Sequence, residues 1–225
     1  MKPFLNCVAI CGADDQIPLS DLQVLYKEFP FMEWGLILYK FSGGEGYPTY
    51  GKIVELLESG MPCCAHLCSK WVEEINWCGS WTVLSVFPRL YEVRRFQINF
   101  AGKEIETNNV IRSINSTRLK HQIILQVSSF DHPVLNDAPA NVAAFFDASH
   151  GKGKLPEQWP KARENRYCGY AGGLNPDNLA ENLEKISQVA NTPAWVDVQS
   201  GVMTNRRLDL DKAHKFLTIA KPWIL

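Results

Sequence analysis

Three times beyond residue 140 a short apolar run ends in a polar residue and then in glycine. The segments are Val142-Ala-Ala-Phe-Phe-Asp147-Ala-Ser-His-Gly151, Tyr167-Cys-Gly-Tyr-Ala-Gly-Gly173 and Ala194-Trp-Val-Asp-Val-Gln-Ser-Gly201. After the second, Leu174 leads into a helical pattern beginning at Pro176. Strand, polar tip, glycine turn and helix, repeated, is the pattern of parallel β/α units. In such folds the C-terminal ends of the strands carry the site, because loops there gather polar groups above a packed interior.

The rest of the chain extends the pattern upstream. Strands are expected at Asn6–Gly12, Phe31–Tyr39, Cys63–Cys68, Arg95–Phe100 and His121–Val127. Helical periodicity falls at Leu19–Phe29, Thr49–Glu58, Lys70–Trp77, Asn109–Ser116 and Leu210–Ala220. Thr82–Phe87 is apolar enough for a strand but sits close to Arg95–Phe100, and reads as a buried connection. Eight strands alternating with helices in 225 residues predict an α/β protein, one compact (β/α)8 barrel domain spanning 1–225. An open doubly wound sheet would start with a glycine-rich nucleotide turn, which Gly12-Ala-Asp-Asp15 does not make.

Charge and composition narrow the partners. A net charge of -1 gives no global reason to expect nucleic acid or an anionic membrane surface. No apolar stretch approaches the roughly 20 residues of a membrane span, and the N-terminus has no signal-peptide pattern. Seven cysteines, an odd number without a disulfide spacing, read as reduced thiols of a cytoplasmic protein. Nothing in the sequence fixes the oligomeric state.

A barrel would bring distant strand ends together: Cys11, Lys40, His66, Asn99, Gln126, Asp147 and Asp197. The turns Gly172-Gly173 and Ser200-Gly201 would expose consecutive backbone N–H groups beside a helix start after Asn175, a phosphate-binding arrangement. The plain reading of the same residues is loop-backbone satisfaction and tight-turn geometry. Cys63, Cys64, His66 and Cys68 suggest a metal, but strand residues two apart are about 6.6 Å apart, too far for one tetrahedral zinc. Asp14-Asp15 reads equally as a helix cap. No metal and no cofactor are expected.

Cys11-Gly12, Asp147, Ala171-Gly-Gly-Leu-Asn-Pro-Asp-Asn178 and Val196-Asp-Val-Gln-Ser-Gly-Val202, in that order, resemble phosphoribosylanthranilate isomerase. The likeness is good over residues 142–217 and thin over the first strand. The first half, with Phe31-Met-Glu-Trp-Gly-Leu-Ile-Leu38 and Ala65-His-Leu-Cys68, is more similar to a divergent bacterial branch of that family. The resemblance implies an Amadori rearrangement, with Asp147 as general acid at the sugar ring oxygen and Cys11 as general base at the adjacent carbon. A cysteine base would need positive charge or dipoles to lower its pKa. Gly172, Gly173, Ser200 and Gly201 would hold the phosphate, and Asp197 would orient neighbouring polar groups.

The sequence also departs from the family. Gly151-Lys-Gly-Lys154 replaces a glycine-glycine-threonine-glycine loop. Met203 and Arg206-Arg207 stand where the isomerase has glutamate and proline-glycine. The arginine the isomerase carries after its second strand has no counterpart in Phe41–Gly46. The phosphate grip is kept and the anthranilate end is not, while Lys152, Lys154, Arg206 and Arg207 would make the mouth more basic or be solvated loop charges. Two functions follow from these residues. One is an isomerase-like enzyme on a phosphorylated sugar or nucleotide derivative; the other is a non-catalytic protein that binds or sequesters such a ligand.

Overall fold

The computed structural model describes residues 2–39, 44, 46–117, 120–147 and 149–225. Lys40, expected at the mouth, lies outside them. Eight parallel strands close into a barrel in sequence order. They are β1 Leu5–Cys11, β2 Met32–Leu38, β3 Cys63–Leu67, β4 Arg95–Ile98, β5 Gln122–Val127, β6 Val142–Phe146, β7 Cys168–Tyr170 and β8 Ala194–Val198. β1 pairs with β8 as well as with β2, which seals the ring. Seven fall within the segments expected from the sequence, and β1 starts one residue before its expected segment, at Leu5.

The helices are α1 Leu19–Glu28, α2 Tyr50–Glu58, α3 Lys70–Glu73, α4 Val83–Val86, α5 Thr107–Ser116, α6 Leu179–Ser187 and α7 Leu210–Ala220. α3 runs into a π-helical turn, Glu74–Cys78, and Thr82–Phe87 is helical rather than extended. The alternation is incomplete. Between β5 and β6 there is only a 3-10 turn, Pro133–Leu135, and between β6 and β7 no helix forms among the described residues. Pro156 and Pro160, with Gly151 and Gly153, deny that second stretch a helical backbone. Its packing is supplied instead by Trp159, whose Nε1 donates to Asn182 Oδ1 at 3.0 Å. Arg166 adds to it by donating to the carbonyls of Leu135, Ala138, Pro139 and Val142.

Side chains alternate across each strand, so one set faces the helices and the other fills the barrel. Val8, Ile10, Trp34, Leu36, Ala65, Phe96 and Leu125 belong to the outer core. A smaller apolar cluster inside the ring comprises Cys64, Ile124, Ala143, Phe145, Ala171 and Trp195. Below it Glu33 and Arg95 form a buried ion pair, with the Arg95 guanidinium 4.8 Å from the Trp195 ring centre. Gly169 makes room for that indole, since a Cβ there would lie 2.0 Å from Trp195 Cε2. The interior is thus plugged at the bottom, and its upper strand positions are left for polar groups. All seven cysteines are free thiols, and no helix among the described residues is long and apolar enough to cross a membrane.

Candidate active site

A cavity of about 360 Å3 opens at the C-terminal ends of the strands. Cys11, Asp147, Gly173 and Ser200 all line it, as do His66, Asn99, Gln126, Gly172 and Asp197. Residues separated by up to 189 positions meet here because in-register parallel strands bring their ends to one rim.

The floor is a cluster of three buried groups from β1, β3 and β8. Cys11 Sγ is 3.6 Å from His66 Nδ1 and donates to Asp197 Oδ1, also at 3.6 Å. His66 Nε2 and Asp197 Oδ2 lie 3.7 Å apart and neither has a hydrogen-bond partner. Gln97 Nε2 contacts His66 Nδ1 at 3.3 Å and donates to Asn99 Oδ1 at 3.0 Å. The cluster needs Gly35 of β2. A Cβ there would stand 2.2 Å from Cys11 Sγ and 3.0 Å from His66 Cε1.

Burial controls the protonation of this floor. It lowers His66 to about 3, with Arg95 adding to the effect, so the imidazole is neutral near pH 7. The contact of His66 with Asp197 is therefore not an ion pair. Burial, then the charges of Glu33 and Asp147, raise Asp197 to about 7, while its hydrogen bond from Cys11 works the other way. The Cys11 thiol is pushed well above its ordinary range, by burial first and then by Asp197. Among the described residues, the groups in hydrogen-bonding reach of Cys11 are a neutral ring and a carboxyl, and neither supplies the positive charge that a thiolate base would need.

Asp147 caps β6 and organises the loop above it. Its carboxylate accepts from Gln126 Nε2 at 3.2 Å, Ser149 N at 3.0 Å, Ser149 Oγ at 2.6 Å and Gly151 N at 2.9 Å. Gly151 and Gly153 have left-handed φ of 80° and 65°, which folds residues 149–155 back over the mouth. A Cβ on Gly153 would meet Ser200 Oγ at 2.3 Å, and one on Gly173 would meet Leu155 N at 2.4 Å. The loop therefore packs directly on both glycine turns.

Those turns form the opposite rim. Gly172 and Gly173 have φ of 114° and 68°, and their N–H groups donate to no acceptor among the described residues. Ser200–Val202 is a 3-10 turn whose first N–H groups have no intrahelical partner. Gly201 lies slightly aside, against the Leu174 carbonyl, and does not line the cavity. α6 begins at Leu179, later than the Pro176 start expected, because Asn175 and Asn178 first close a turn on themselves and on Gly173 O.

Lys152 and Arg206 are exposed and do not line the cavity. Arg206 sits at the tip of a hairpin, β9 Met203–Thr204 with β10 Arg207–Leu208, where Asn205 and Arg206 have φ of 49° and 66°. That turn points the arginine to the rim, close enough to Tyr47 to oppose the rise in its pKa caused by burial. Sequence reading missed the hairpin because its turn lacks glycine, the usual signal. It also missed what the hairpin does: the Met203 methyl packs against Gly12 and Gly46, 3.3 and 2.8 Å from where a Cβ on each would stand. Gly35, Gln97, Tyr47, Lys103 and His150 were likewise not singled out. Asp14 and Asp15, weighed as metal ligands, tie the loop after β1 to the next one by accepting from Gly46 N and Thr49 N.

Comparison with known proteins follows this geometry. The sequence profile of the N-(5'phosphoribosyl)anthranilate (PRA) isomerase family matches residues 92–218, from just before β4 to within α7. The N-(5'-phosphoribosyl)anthranilate isomerase of Oceanobacillus iheyensis is 31% identical over 88 residues, which are 38% of this chain and 38% of that protein. Among solved structures, phosphoribosyl anthranilate isomerase from Thermotoga maritima superposes with a TM-score of 0.61 at 21% identity, covering 96% of this chain and 98% of that one. The enzyme from Pyrococcus furiosus gives 0.56 at 18%, covering 96% and 98%. An isomerase complexed with reduced 1-(o-carboxyphenylamino)-1-deoxyribulose 5-phosphate gives 0.58 at 20%, covering 96% and 98%. The profile spans more than half of the chain, and this protein belongs to the N-(5'-phosphoribosyl)anthranilate isomerase family.

Proposed function

We propose that this protein is an isomerase-type enzyme acting by acid–base chemistry on a phosphorylated ribose or nucleotide derivative other than phosphoribosylanthranilate. The observation that carries the reading is one cavity that joins a pair of carboxyl groups, Asp147 and Asp197, to a rim of unpaired glycine N–H groups. The N–H groups of Gly172 and Gly173, with the start of the turn at Ser200, would receive the phosphate and fix the sugar below them. Asp147 would protonate the ring oxygen, the carbon–oxygen bond would break, and an iminium would form. Loss of the proton on the adjacent carbon would then give the enol, which becomes the ketone.

For that second proton the structure favours Asp197 over Cys11. A base works best with a pKa near the working pH, and Asp197 is raised to about 7, whereas the thiol stays protonated. Cys11 would hold the Asp197 carboxylate in place through its hydrogen bond. Among the described residues we find no recognition group for the anthranilate end of the isomerase substrate. Arg206 is at the hairpin tip, and Met203 fills the space beside Gly12 and Gly46.

The test is product formation from a panel of 5-phosphorylated ribosylamines. Asp147→Asn should lower turnover at saturation by roughly 10²-fold or more with little change in Kd, and phosphoribosylanthranilate itself should be turned over negligibly. A panel member bound tightly but unchanged, with Asp147→Asn altering only its affinity, would establish a binding protein instead.

A further inference from the structure

The floor of the cavity can be used in a second way. Cys11, His66 and Asp197 present a thiol, an imidazole and a carboxyl, and one ligand atom from each lies within 4.8 Å of the other two. All three are buried, which is uncommon for a carboxyl without a compensating partner.

Spacing is the first indication. Bonds of about 2.0–2.3 Å in a tetrahedron set ligand atoms roughly 3.3–3.6 Å apart. The thiol lies 3.6 Å from Asp197 Oδ1 and 3.6 Å from His66 Nδ1, and His66 Nε2 lies 3.7 Å from Asp197 Oδ2. The Nε2–Oδ2 separation is long for a hydrogen bond between nitrogen and oxygen and close to one edge of a coordination tetrahedron, and the thiol lies against the other ring nitrogen and the other carboxylate oxygen. The strand-spacing argument against zinc on β3 alone does not apply, because the partners of His66 come from β1 and β8.

The orphaned atoms are a second, independent indication. His66 Nε2, Asp197 Oδ2 and Gln97 Oε1 are buried and unpartnered. Lone pairs on the first two would be used by one ion. Turning over the Gln97 and Asn99 amides together would set Gln97 Oε1 to accept from His66 Nδ1–H and from Asn99 Nδ2. A carbonyl oxygen on the far ring nitrogen is what orients a metal-bound histidine. One ion thus satisfies His66 Nε2 and Asp197 Oδ2, two groups that otherwise cost free energy.

We propose that Cys11, His66 and Asp197 form a three-ligand site for a divalent transition metal of the zinc type, with its open position facing the cavity. Mixed sulfur, nitrogen and oxygen donors in a tetrahedron select such an ion over magnesium or calcium. Binding expels the thiol proton. It also occupies the carboxylate, so metal binding and proton abstraction by Asp197 are exclusive uses of the same atoms, and the loaded protein is the inactive one.

The experiment uses the full chain, freed of metal by chelator and titrated with Co2+. A sulfur-to-cobalt charge-transfer band together with intense visible bands of tetrahedral cobalt should grow to one equivalent. Zn2+ should displace it. Cys11→Ser should remove the charge-transfer band. Gln97→Ala should weaken Co2+ binding by ~10–100-fold, the usual cost of losing an outer partner. Cys68→Ser, outside the three ligands, should leave the band intact. Circular dichroism and binding of inorganic phosphate to the metal-free variants show that each is folded. Absence of the band in the folded wild type, or its survival in Cys11→Ser, overturns the site. Neither result depends on turnover, so the isomerase reading stands or falls separately.

Discussion

His66 and Asp197 lie side by side and hold protons in opposite senses. Folding lowers His66 from 6.5 to about 3, so between those values the folded chain binds fewer protons than the unfolded chain. Stability from His66 therefore rises with pH across that window and is lost as pH falls through it. Folding raises Asp197 from 3.8 to about 7, so there the folded chain keeps a proton the unfolded chain has lost, and stability falls as pH rises. From about pH 4 to 6.5 the two slopes oppose and largely cancel. In metal-free protein, Asp197→Asn should uncover the His66 slope, a stability that increases by up to ~1.4 kcal/mol per pH unit. His66→Gln should uncover the opposite slope. Denaturant unfolding across this range measures both, and slopes of the same sign in the two variants would refute the assignment.

At the scale of elements, β2 is the strand that lets the site exist, through a residue with no side chain. Gly35 sits in the ring between β1 and β3, paired with Cys11 on one side and Cys64 on the other. Gly35→Ala would drive a methyl into Cys11 Sγ. Overpacking of this kind costs ~1–3 kcal/mol, and the three-residue cluster would be spread apart. We predict that turnover and Co2+ binding are lost in Gly35→Ala while affinity for inorganic phosphate, which the glycine rim would hold, is kept. Equal loss of phosphate affinity would mean that floor and rim do not act separately. The strands were legible in the sequence because each is a short apolar run with a polar tip. Gly35 was not, since a glycine inside a strand looks the same whether it bends the chain or yields space to a neighbour. The β6–β7 segment was misleading for a related reason. Alternation called for a helix, and Trp159 and Arg166 do its packing without one.

At the scale of the whole molecule, the family likeness and the site divide the chain differently. The profile covers residues 92–218, which bring Asp147, Gly172, Gly173, Asp197 and Ser200. The first three strands, outside it, bring Cys11, Gly35 and His66, which build the floor. The glycine rim could thus be read from motifs, whereas the floor appears only once closure of β1 on β8 sets Cys11 beside Asp197. The altered mouth has the same origin: Arg206 and Met203 could be counted as departures, but their placement depends on a hairpin with no glycine to announce it. A family-like rim below an altered mouth is what the proposed phosphate-anchored reaction with a different substrate body would need. The most direct test follows solvent deuterium entering carbon 1 as a 5-phosphorylated ribosylamine rearranges to the ketose, by NMR, with the metal-free protein, beside the same compound lacking its phosphate. The account predicts exchange into the phosphorylated compound and almost none into the other. Tight binding of the phosphorylated compound without any exchange, or equal exchange into both, would contradict it.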